Sequence, residues 1–334
     1  MSPSIERSSG PKRRIVRAGV AALRITDAIG EAVAPGLTAR AAARRWFQIP
    51  DTPATRHGDL RLRPVGGSSF ETSSLGHRIR GTCWGRGRVV YLMHGWAGSA
   101  EQMVGLLEPL LLRNYRIVVF DAPSHGRSDP GPSGPGRSHA VEFAHALGAV
   151  SAVFGPARGV ITHSLGAMAT MLALRFGWLS TERLVFLAPM SGLQRQLDTF
   201  ADALNLGRRT RLRMAARIHD RVGFPVEEFE LVRMAPYAGD TPLLVAHDTA
   251  DRYLPYRDSV SLVEQWPGDA KLLTTRIGPQ PVAPRHRSHR SGRRLRGEQR
   301  RSAEPATDRT ENAVKVGAGT AFRPAGPLLA LMCK

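Results

Sequence analysis

Short apolar runs recur along the middle of the chain, and a polar or glycine-containing segment follows each of them. Each run is long enough for one buried strand, and the runs occupy residues 89–93, 117–120, 184–187 and 243–246. Apolar residues at helical spacing fill the intervals, near residues 101–113, 140–154 and 165–176. Strands that alternate with helices are typical of a parallel α/β sheet. Because the carboxyl ends of parallel strands meet at one edge, the polar segments predict a functional site there.

A serine stands where a further strand turns sharply into a helix. The run Thr-His-Ser-Leu-Gly occupies residues 162–166, after the small and β-prone residues 159–162. A serine at such a turn is held above the sheet edge, and the N–H groups of the helix's first turn point toward the group that it attacks. The run departs from Gly-x-Ser-x-Gly because Thr162 fills the first glycine position. We interpret Ser164 as a candidate nucleophile.

Three further polar segments follow strands in a recognisable order. His-Gly-Trp (94–96) follows the third strand, Asp-Ala-Pro-Ser-His-Gly-Arg-Ser (121–128) the fourth, and His-Asp-Thr-Ala-Asp-Arg-Tyr-Leu-Pro (247–255) the seventh. With the serine turn, these segments resemble the α/β-hydrolase family in order and spacing over roughly residues 68–276. The resemblance implies a mostly parallel, doubly wound sheet of α/β-hydrolase type, with a helical cap inserted at about residues 190–238. It says less about the reaction, since this fold hosts many.

The resemblance also implies roles for individual residues. Ser164 matches the family's nucleophile and Asp251 the acid that orients the catalytic histidine, with Asp248 as the alternative acid. The backbone N–H groups of Trp96 and Leu165 match the two oxyanion donors. Four residues are expected to support this arrangement structurally: His94, Gly95, Asp121 and Gly166. His125 and His163 are expected to pack within their turns and not to act as the base.

The catalytic histidine of the family has no counterpart at its usual place. Family members carry it in a Gly-x-Gly-His-like segment after the last strand, whereas residues 277–281 contain no histidine. The next histidines are His286 and His289, within an arginine-rich run. We take His286 as the candidate base and His289 as its rival, and either would require this run to fold back over the site. If neither does so, the chain is an inactive member.

The composition changes after residue 276. Residues 277–334 contain twelve Lys and Arg but four Asp and Glu, and they lack helical or strand periodicity, which predicts a disordered tail. Arg supplies 43 of the 47 basic residues of the chain, as is typical of GC-rich coding DNA. A one-base shift within codon 276 can encode Gly-Leu-Gly-His, so our hypothesis is that the tail is a frameshift product. A genuine basic tail is the alternative.

The pattern divides the chain into three parts: residues 1–67, 68–276 and 277–334. The first part is a basic arm with an amphipathic helical pattern at 15–33 and a Pro/Gly-punctuated linker at 51–67. We expect that helix to pack on the domain, with weak peripheral membrane association as the alternative. No apolar run is long enough for a membrane span, and Arg24 and Asp27 interrupt any signal-type core. Two distant cysteines argue against a disulfide framework, so we expect a cytoplasmic protein.

Charge and motif content limit the partners. The formal net charge is +19, but no basic–aromatic motif of a nucleic-acid-binding module accompanies it, so we expect no specific nucleic-acid partner. No Cys/His spacing predicts a metal site, and we expect no cofactor. The expected function is hydrolysis of a small-molecule carboxylic ester through an acyl-serine intermediate. An acyltransferase or an amide or C–C hydrolase of the same fold stays open, as does the oligomeric state.

Overall fold

The computed structural model describes residues 34–50 and 66–276, together with the backbone of residues 314–316 and 320–322. Eight strands form one sheet: β1 Ser68–Ser74, β2 His77–Trp84, β3 Val89–Met93, β4 Arg116–Phe120, β5 Gly159–His163, β6 Leu184–Leu187, β7 Leu243–Asp248 and β8 Ala270–Thr275. The α-helices are α1 Pro35–Trp46, α2 Leu107–Leu111, α3 Ala140–Phe154, α4 Leu165–Arg175, α5 Gln194–Ala203, α6 Arg208–Val222, α7 Leu231–Met234 and α8 Tyr256–Glu264. Three 3₁₀ segments are Ala100–Leu106, Val226–Phe229 and Ala235–Ala238.

The sheet confirms the predicted fold class. Its strand order is β1-β2-β4-β3-β5-β6-β7-β8, and every neighbouring pair from β4 to β8 is parallel. The pairs β1–β2 and β2–β4 are antiparallel, which gives the lead-in expected near residues 70–85. Leu75 and Gly76, both at positive φ, form the tight turn of this hairpin. Strand β4 lies on one side of β3, and the next strand along the chain, β5, lies on the other side of it. Because the chain changes direction across the sheet at this point, right-handed crossovers place helices on both faces of the sheet.

Strand β3 lies inside the sheet and is buried on both faces. Alternate side chains of a strand point to opposite faces, so Tyr91 and Met93 pack in the cluster that contains α3 and α4. Val90 and Leu92 pack in a second cluster with the segment 100–110. Burial on both faces explains why β3 has no polar alternation.

The predicted helix at 101–113 is divided into two shorter segments. Residues Ala100–Leu106 form a 3₁₀ turn, and a true α-helix, α2, begins only at Leu107. Pro109 lacks the N–H that a continuous helix would need at that point, but it fits within the first turn of a new helix. The N–H of Ala100 is held by Oδ1 of Asp121 at 2.7 Å, which fixes the start of the 3₁₀ turn.

The inserted cap contains α5 and α6, and α1 packs against it. Ala39 and Ala42 of α1 share a buried cluster with Leu197 of α5 and with Met214 and Ile218 of α6. Helix α1 lies within the segment predicted as an arm and linker, so its packing on the cap is a feature that the sequence pattern did not indicate. The predicted helix at 15–33 and residues 51–65 of the predicted linker lie outside the described residues.

Two short strands lie within the segment predicted as a disordered tail. The strands β9 Val314–Val316 and β10 Thr320–Phe322 pair in antiparallel fashion. The candidate bases His286 and His289 and the proposed frameshift junction fall outside the described residues. In the part of the chain that is described, no helix has the length and apolar character needed to cross a membrane.

Candidate functional site

Ser164 occupies a strained backbone position between β5 and α4. Its φ of 51° and ψ of −115° lie in a region that residues with a side chain rarely adopt. Hydrogen bonds on both sides hold this turn: the N–H of Ser164 donates to Leu187 O at 3.1 Å, and Met190 N–H donates to Ser164 O at 3.2 Å. Strand β6 and the chain after it therefore fix the direction of the serine side chain.

We expect Ser164→Gly to raise the free energy of unfolding by about 1 kcal/mol. Strained φ/ψ values cost about 1–3 kcal/mol in a residue with a Cβ, and the backbone entropy of glycine offsets part of the relief. Ser164→Ala is the matched control, since it removes the hydroxyl but keeps the strain, and its stability should stay near that of the wild type. Urea denaturation of the three proteins measures this, and equal stability of all three would contradict the strain.

Two glycines allow the serine turn to approach β3 closely. A Cβ on Gly95 would stand 2.9 Å from Cβ of Ser164 and 3.0 Å from the carbonyl oxygen of His163. A Cβ on Gly166 would stand 2.9 Å from the carbonyl oxygen of His94. Both distances are shorter than ordinary van der Waals contact. The glycines therefore set the spacing between the His-Gly-Trp loop and the serine turn.

The backbone N–H groups of Trp96 and Leu165 are free to donate. Neither forms a hydrogen bond within the described part of the chain, and Leu165 is the first residue of α4, where an N–H has no partner inside its helix. The next N–H in the loop, that of Ala97, donates to Nε2 of His125 at 3.2 Å and holds the loop in place. Both free donors belong to residues that line the same cavity.

The rings of His94 and His125 are fully used in holding loops. Nδ1 of His94 donates to Gly95 O at 2.7 Å, and its Nε2 accepts the N–H of Ala122 at 3.0 Å. Nδ1 of His125 likewise donates to Pro123 O at 2.8 Å. Burial lowers the pKa of His94 to about 4 and that of His125 to about 3, so both rings are neutral at pH 7.

Asp121 links the ends of two loops. Its Oδ1 accepts the N–H of Ala100 at 2.7 Å, and its Oδ2 accepts the N–H of Arg127 at 3.1 Å. Gly126, at a positive φ, lies so close to this carboxylate that a Cβ there would stand 2.2 Å from it. Both carboxylate oxygens are therefore engaged in holding backbone.

The two candidate acids, Asp251 and Asp248, have different contacts at the end of β7. Oδ1 of Asp251 accepts the N–H groups of Tyr253 and Leu254 at 2.8 and 3.0 Å, which leaves Oδ2 facing Nε2 of His247 at 3.7 Å. Burial acts to raise the pKa of Asp251, but the nearby His247 ring and the hydrogen bonds from the two N–H groups outweigh it, so the pKa lies below its usual value. Oδ1 of Asp248 instead accepts the N–H of Ala250 at 2.8 Å within a local turn.

His247 and His163 surround this acid. His247 is buried, with Nδ1 against Oγ of Ser259 at 2.6 Å and Nε2 against Leu254 O at 3.1 Å, so both nitrogens have partners. The ring of His163 lies within the electrostatic reach of Asp251 and His247, and burial lowers its pKa to about 4. Its Nδ1 is buried without a hydrogen-bond partner among the described residues. His163 therefore faces the acid loop as a neutral ring.

An apolar cavity of about 350 Å³ adjoins the two free N–H donors, and we call it the aromatic cavity. Trp96, Leu165 and Met190 are among the residues that line it. Its other walls come from α1, α5 and the chain before α3, with Trp46, Phe47, His139, Leu193 and Phe200 among them. The rings of Trp46 and Phe200 pack edge to face, with centroids 5.4 Å apart. The sequence pattern gave no sign that Trp46, Phe47 or His139 belongs to the site.

The structure thus brings together part of the expected site. Ser164 and Gly95 are in contact, the Trp96 and Leu165 donors share a cavity, and Asp251 occupies the loop after β7. No hydrogen bond joins the Ser164 hydroxyl to another described residue. Within the same ranges, no three His, Cys, Asp or Glu side chains are grouped as metal ligands would be.

Comparison with known proteins gives the family. The sequence profile of the Alpha/beta hydrolase family matches residues 89–315, more than half of the chain. A serine hydrolase-like protein of Danio rerio is 30% identical over 120 residues, which cover 35% of this chain and 36% of that protein, so the chain spans about a third of its length. A non-heme haloperoxidase of Rhodococcus erythropolis is 39% identical over 59 residues, covering 18% and 22%. A structure of Est1E from Butyrivibrio proteoclasticus with bound ferulic acid has 18% identity and a TM-score of 0.48, covering 62% of this chain and 89% of that chain. The profile match across the sheet and the serine turn shows that the chain belongs to the alpha/beta hydrolase family.

Proposed function

We propose that this protein hydrolyses a carboxylic ester through an acyl intermediate on Ser164. The observation that carries the proposal is the strained serine at the β5–α4 turn, beside the N–H groups of Trp96 and Leu165, which have no hydrogen-bond partner among the described residues. A structural serine gains nothing from a positive φ, whereas a nucleophile gains an exposed and fixed direction of attack. The aromatic cavity beside the donors fits an apolar acyl group.

In this mechanism, Oγ of Ser164 attacks the acyl carbonyl carbon and its proton passes to an imidazole. The carbonyl oxygen becomes negatively charged and accepts hydrogen bonds from the N–H groups of Trp96 and Leu165, each worth about 3–4 kcal/mol in the transition state. The ester C–O bond then breaks as the imidazolium protonates the leaving alcohol. Water attacks the acyl-serine by the same route, which releases the acid and restores Ser164.

Asp251 is proposed as the carboxylate that orients the imidazole. Its Oδ1 is occupied by backbone, so Oδ2 is the oxygen that can accept a ring N–H. The rings of His94 and His125 are excluded as the base because both of their nitrogens hold loops. His286 is the proposed base and His289 its rival, and single alanine variants of the two identify which one matters.

Labelling with a fluorophosphonate tests the nucleophile directly. Mass spectrometry should find the phosphonyl group on Ser164 of the wild type and no label on Ser164→Ala. Ser124→Ala is a matched control, because Ser124 also sits at a positive φ but in the turn after β4, and it should label as the wild type does. An unlabelled wild-type protein would mean that no base activates Ser164, and the chain would then be an inactive member of the family.

A further inference from the structure

A groove lined by five arginines lies between α1 and α6, and we call it the arginine groove. Its volume is about 450 Å³. The arginines are Arg40, Arg44, Arg137, Arg217 and Arg221. Asp220 is the one carboxylate among the residues that line it, and none of the five arginines forms an ion pair within the described part of the chain. The groove therefore concentrates five positive charges against one negative charge among its lining residues.

The spacing of these arginines acts against helix stability. Arg40 and Arg44 are four residues apart on α1, and Arg217 and Arg221 are four residues apart on α6, so each pair lies on one helix face. Like charges at this spacing destabilise a helix by a few tenths of a kcal/mol. The two helices also pack against each other, which brings the two pairs to one groove. An anion bound between them would remove this repulsion.

Contacts with the surrounding chain hold the groove in shape. The guanidinium of Arg221 lies 5.4 Å from the ring centroid of Phe47 and donates to Ser133 O at 3.2 Å. The chain after α1 bonds to the segment that carries Arg137, through Ile49 N–H to Gly136 O at 2.8 Å. The guanidinium of Arg221 is thus held by contacts with the protein, and the backbone next to Arg137 is fixed by a hydrogen bond.

The arginine groove adjoins the aromatic cavity. Phe47 lines both, and it is buried between them as their common wall. A ligand that lies along this wall would meet apolar surface beside Trp96 and Leu165 and guanidinium groups at its other end. Guanidinium groups bind phosphate and carboxylate oxygens in pairs, which gives both charge and direction.

We infer that the arginine groove binds the acidic group of an anionic amphiphile, a small-molecule ester with a phosphate or carboxylate whose apolar part occupies the aromatic cavity. That the ligand is an ester rests on the proposed function, whereas the binding of an anionic amphiphile does not depend on catalysis. A basic groove that shares the wall of Phe47 with an acyl cavity selects among esters by charge. Neutral esters of the same length would lack the contacts with the guanidinium groups.

Isothermal titration calorimetry on the full chain with n-octyl phosphate, below its micelle concentration, tests the inference. n-Octanol and inorganic phosphate are the comparison ligands, and Ser164→Ala is titrated beside the wild type. We expect n-octyl phosphate to bind at least about tenfold more tightly than either comparison ligand, and equally to Ser164→Ala. Binding to Ser164→Ala separates the groove from the chemistry: if fluorophosphonate labelling fails but n-octyl phosphate binds, the groove stands and the proposed function does not.

Two double variants locate the binding. Arg40→Gln with Arg217→Gln takes one charge from each side of the groove and should weaken n-octyl phosphate binding on the order of tenfold. Arg209→Gln with Arg213→Gln removes the same charge from exposed positions of α6 outside the groove and should change it by less than about twofold.

Several results would overturn the inference. Equal losses in the two double variants would mean that net charge alone attracts the ligand. If inorganic phosphate bound as tightly as n-octyl phosphate, the aromatic cavity would contribute nothing to the affinity. Binding to phosphatidylglycerol vesicles in a sedimentation assay, with no binding of free n-octyl phosphate, would assign the arginines to a membrane surface instead.

Discussion

Replacing Asp251 with asparagine should lower the turnover of p-nitrophenyl butyrate by about 10⁴-fold while leaving the protein folded. The amide oxygen of asparagine can still accept the N–H groups of Tyr253 and Leu254, so the loop keeps its hydrogen bonds. The negative charge at Oδ2 is lost, and with it the group that would fix the tautomer of the base and stabilise the imidazolium. The loss should therefore appear in kcat, with KM nearly unchanged.

Asp248→Asn is the matched control for this prediction. Asp248 is the last residue of β7, three positions before Asp251, and has the same charge, but its Oδ1 is used in a turn with Ala250 N–H at 2.8 Å. We expect its kcat to fall by less than about tenfold. A larger loss in Asp248→Asn than in Asp251→Asn would make Asp248 the acid and reverse the assignment, and thermal unfolding of both variants shows whether folding contributes.

The parts of the site that sequence could predict are those built from neighbouring residues. A strand, a sharp turn and a helix around Ser164 are one continuous segment, so their pattern is visible in the order of the residues themselves. The order of polar segments after β3, β4 and β7 likewise predicts one sheet edge, because parallel strands have no other place for their ends. The fold followed from these local patterns and the family resemblance.

The parts that escaped prediction depend on contacts between distant segments. Trp46 reaches the aromatic cavity only because α1 packs on the cap through small residues such as Ala39 and Ala42. The buried residues of this stretch, Thr38, Ala39, Ala42 and Ala43, do repeat at helical spacing, but side chains this small are weak indicators of a packed face. The sequence likewise left both Asp248 and Asp251 as candidate acids. Choosing between them depends on which carboxylate oxygens already accept backbone N–H groups, and residue order does not show this.

Acidification from pH 7 to pH 4.5 should destabilise the protein by about 6–7 kcal/mol through three histidines around the serine turn. Burial lowers the pKa of His94 and His163 to about 4 and that of His125 to about 3. In the unfolded chain, each of these rings has its ordinary pKa near 6.5. Each contributes about 2 kcal/mol to the change.

The sign of this stability change follows from whether the folded or the unfolded chain binds more protons. Between pH 6.5 and 4, the unfolded chain takes up a proton on each ring while the folded protein does not, so acid favours unfolding. The stabilisation is complete above pH 6.5 and is lost as the pH falls toward 4. Since domains are typically stable by 5–15 kcal/mol, a loss of this size should bring urea unfolding close to zero denaturant at pH 4.5.

His125→Gln separates this cause from the general effect of acid on carboxylates. The variant should have a lower stability at pH 7, because glutamine cannot reproduce both ring hydrogen bonds, but its loss between pH 7 and 4.5 should be smaller by about 2 kcal/mol. His219→Gln, at an exposed position of α6, should follow the wild-type pH dependence throughout. If His125→Gln and the wild type lose the same free energy over this range, the ring of His125 is protonated in the folded protein. A protonated ring cannot accept the N–H of Ala97, so His125 would not hold the His-Gly-Trp loop in the way described above. The position of the Trp96 N–H would then depend on Gly95 and Asp121 alone.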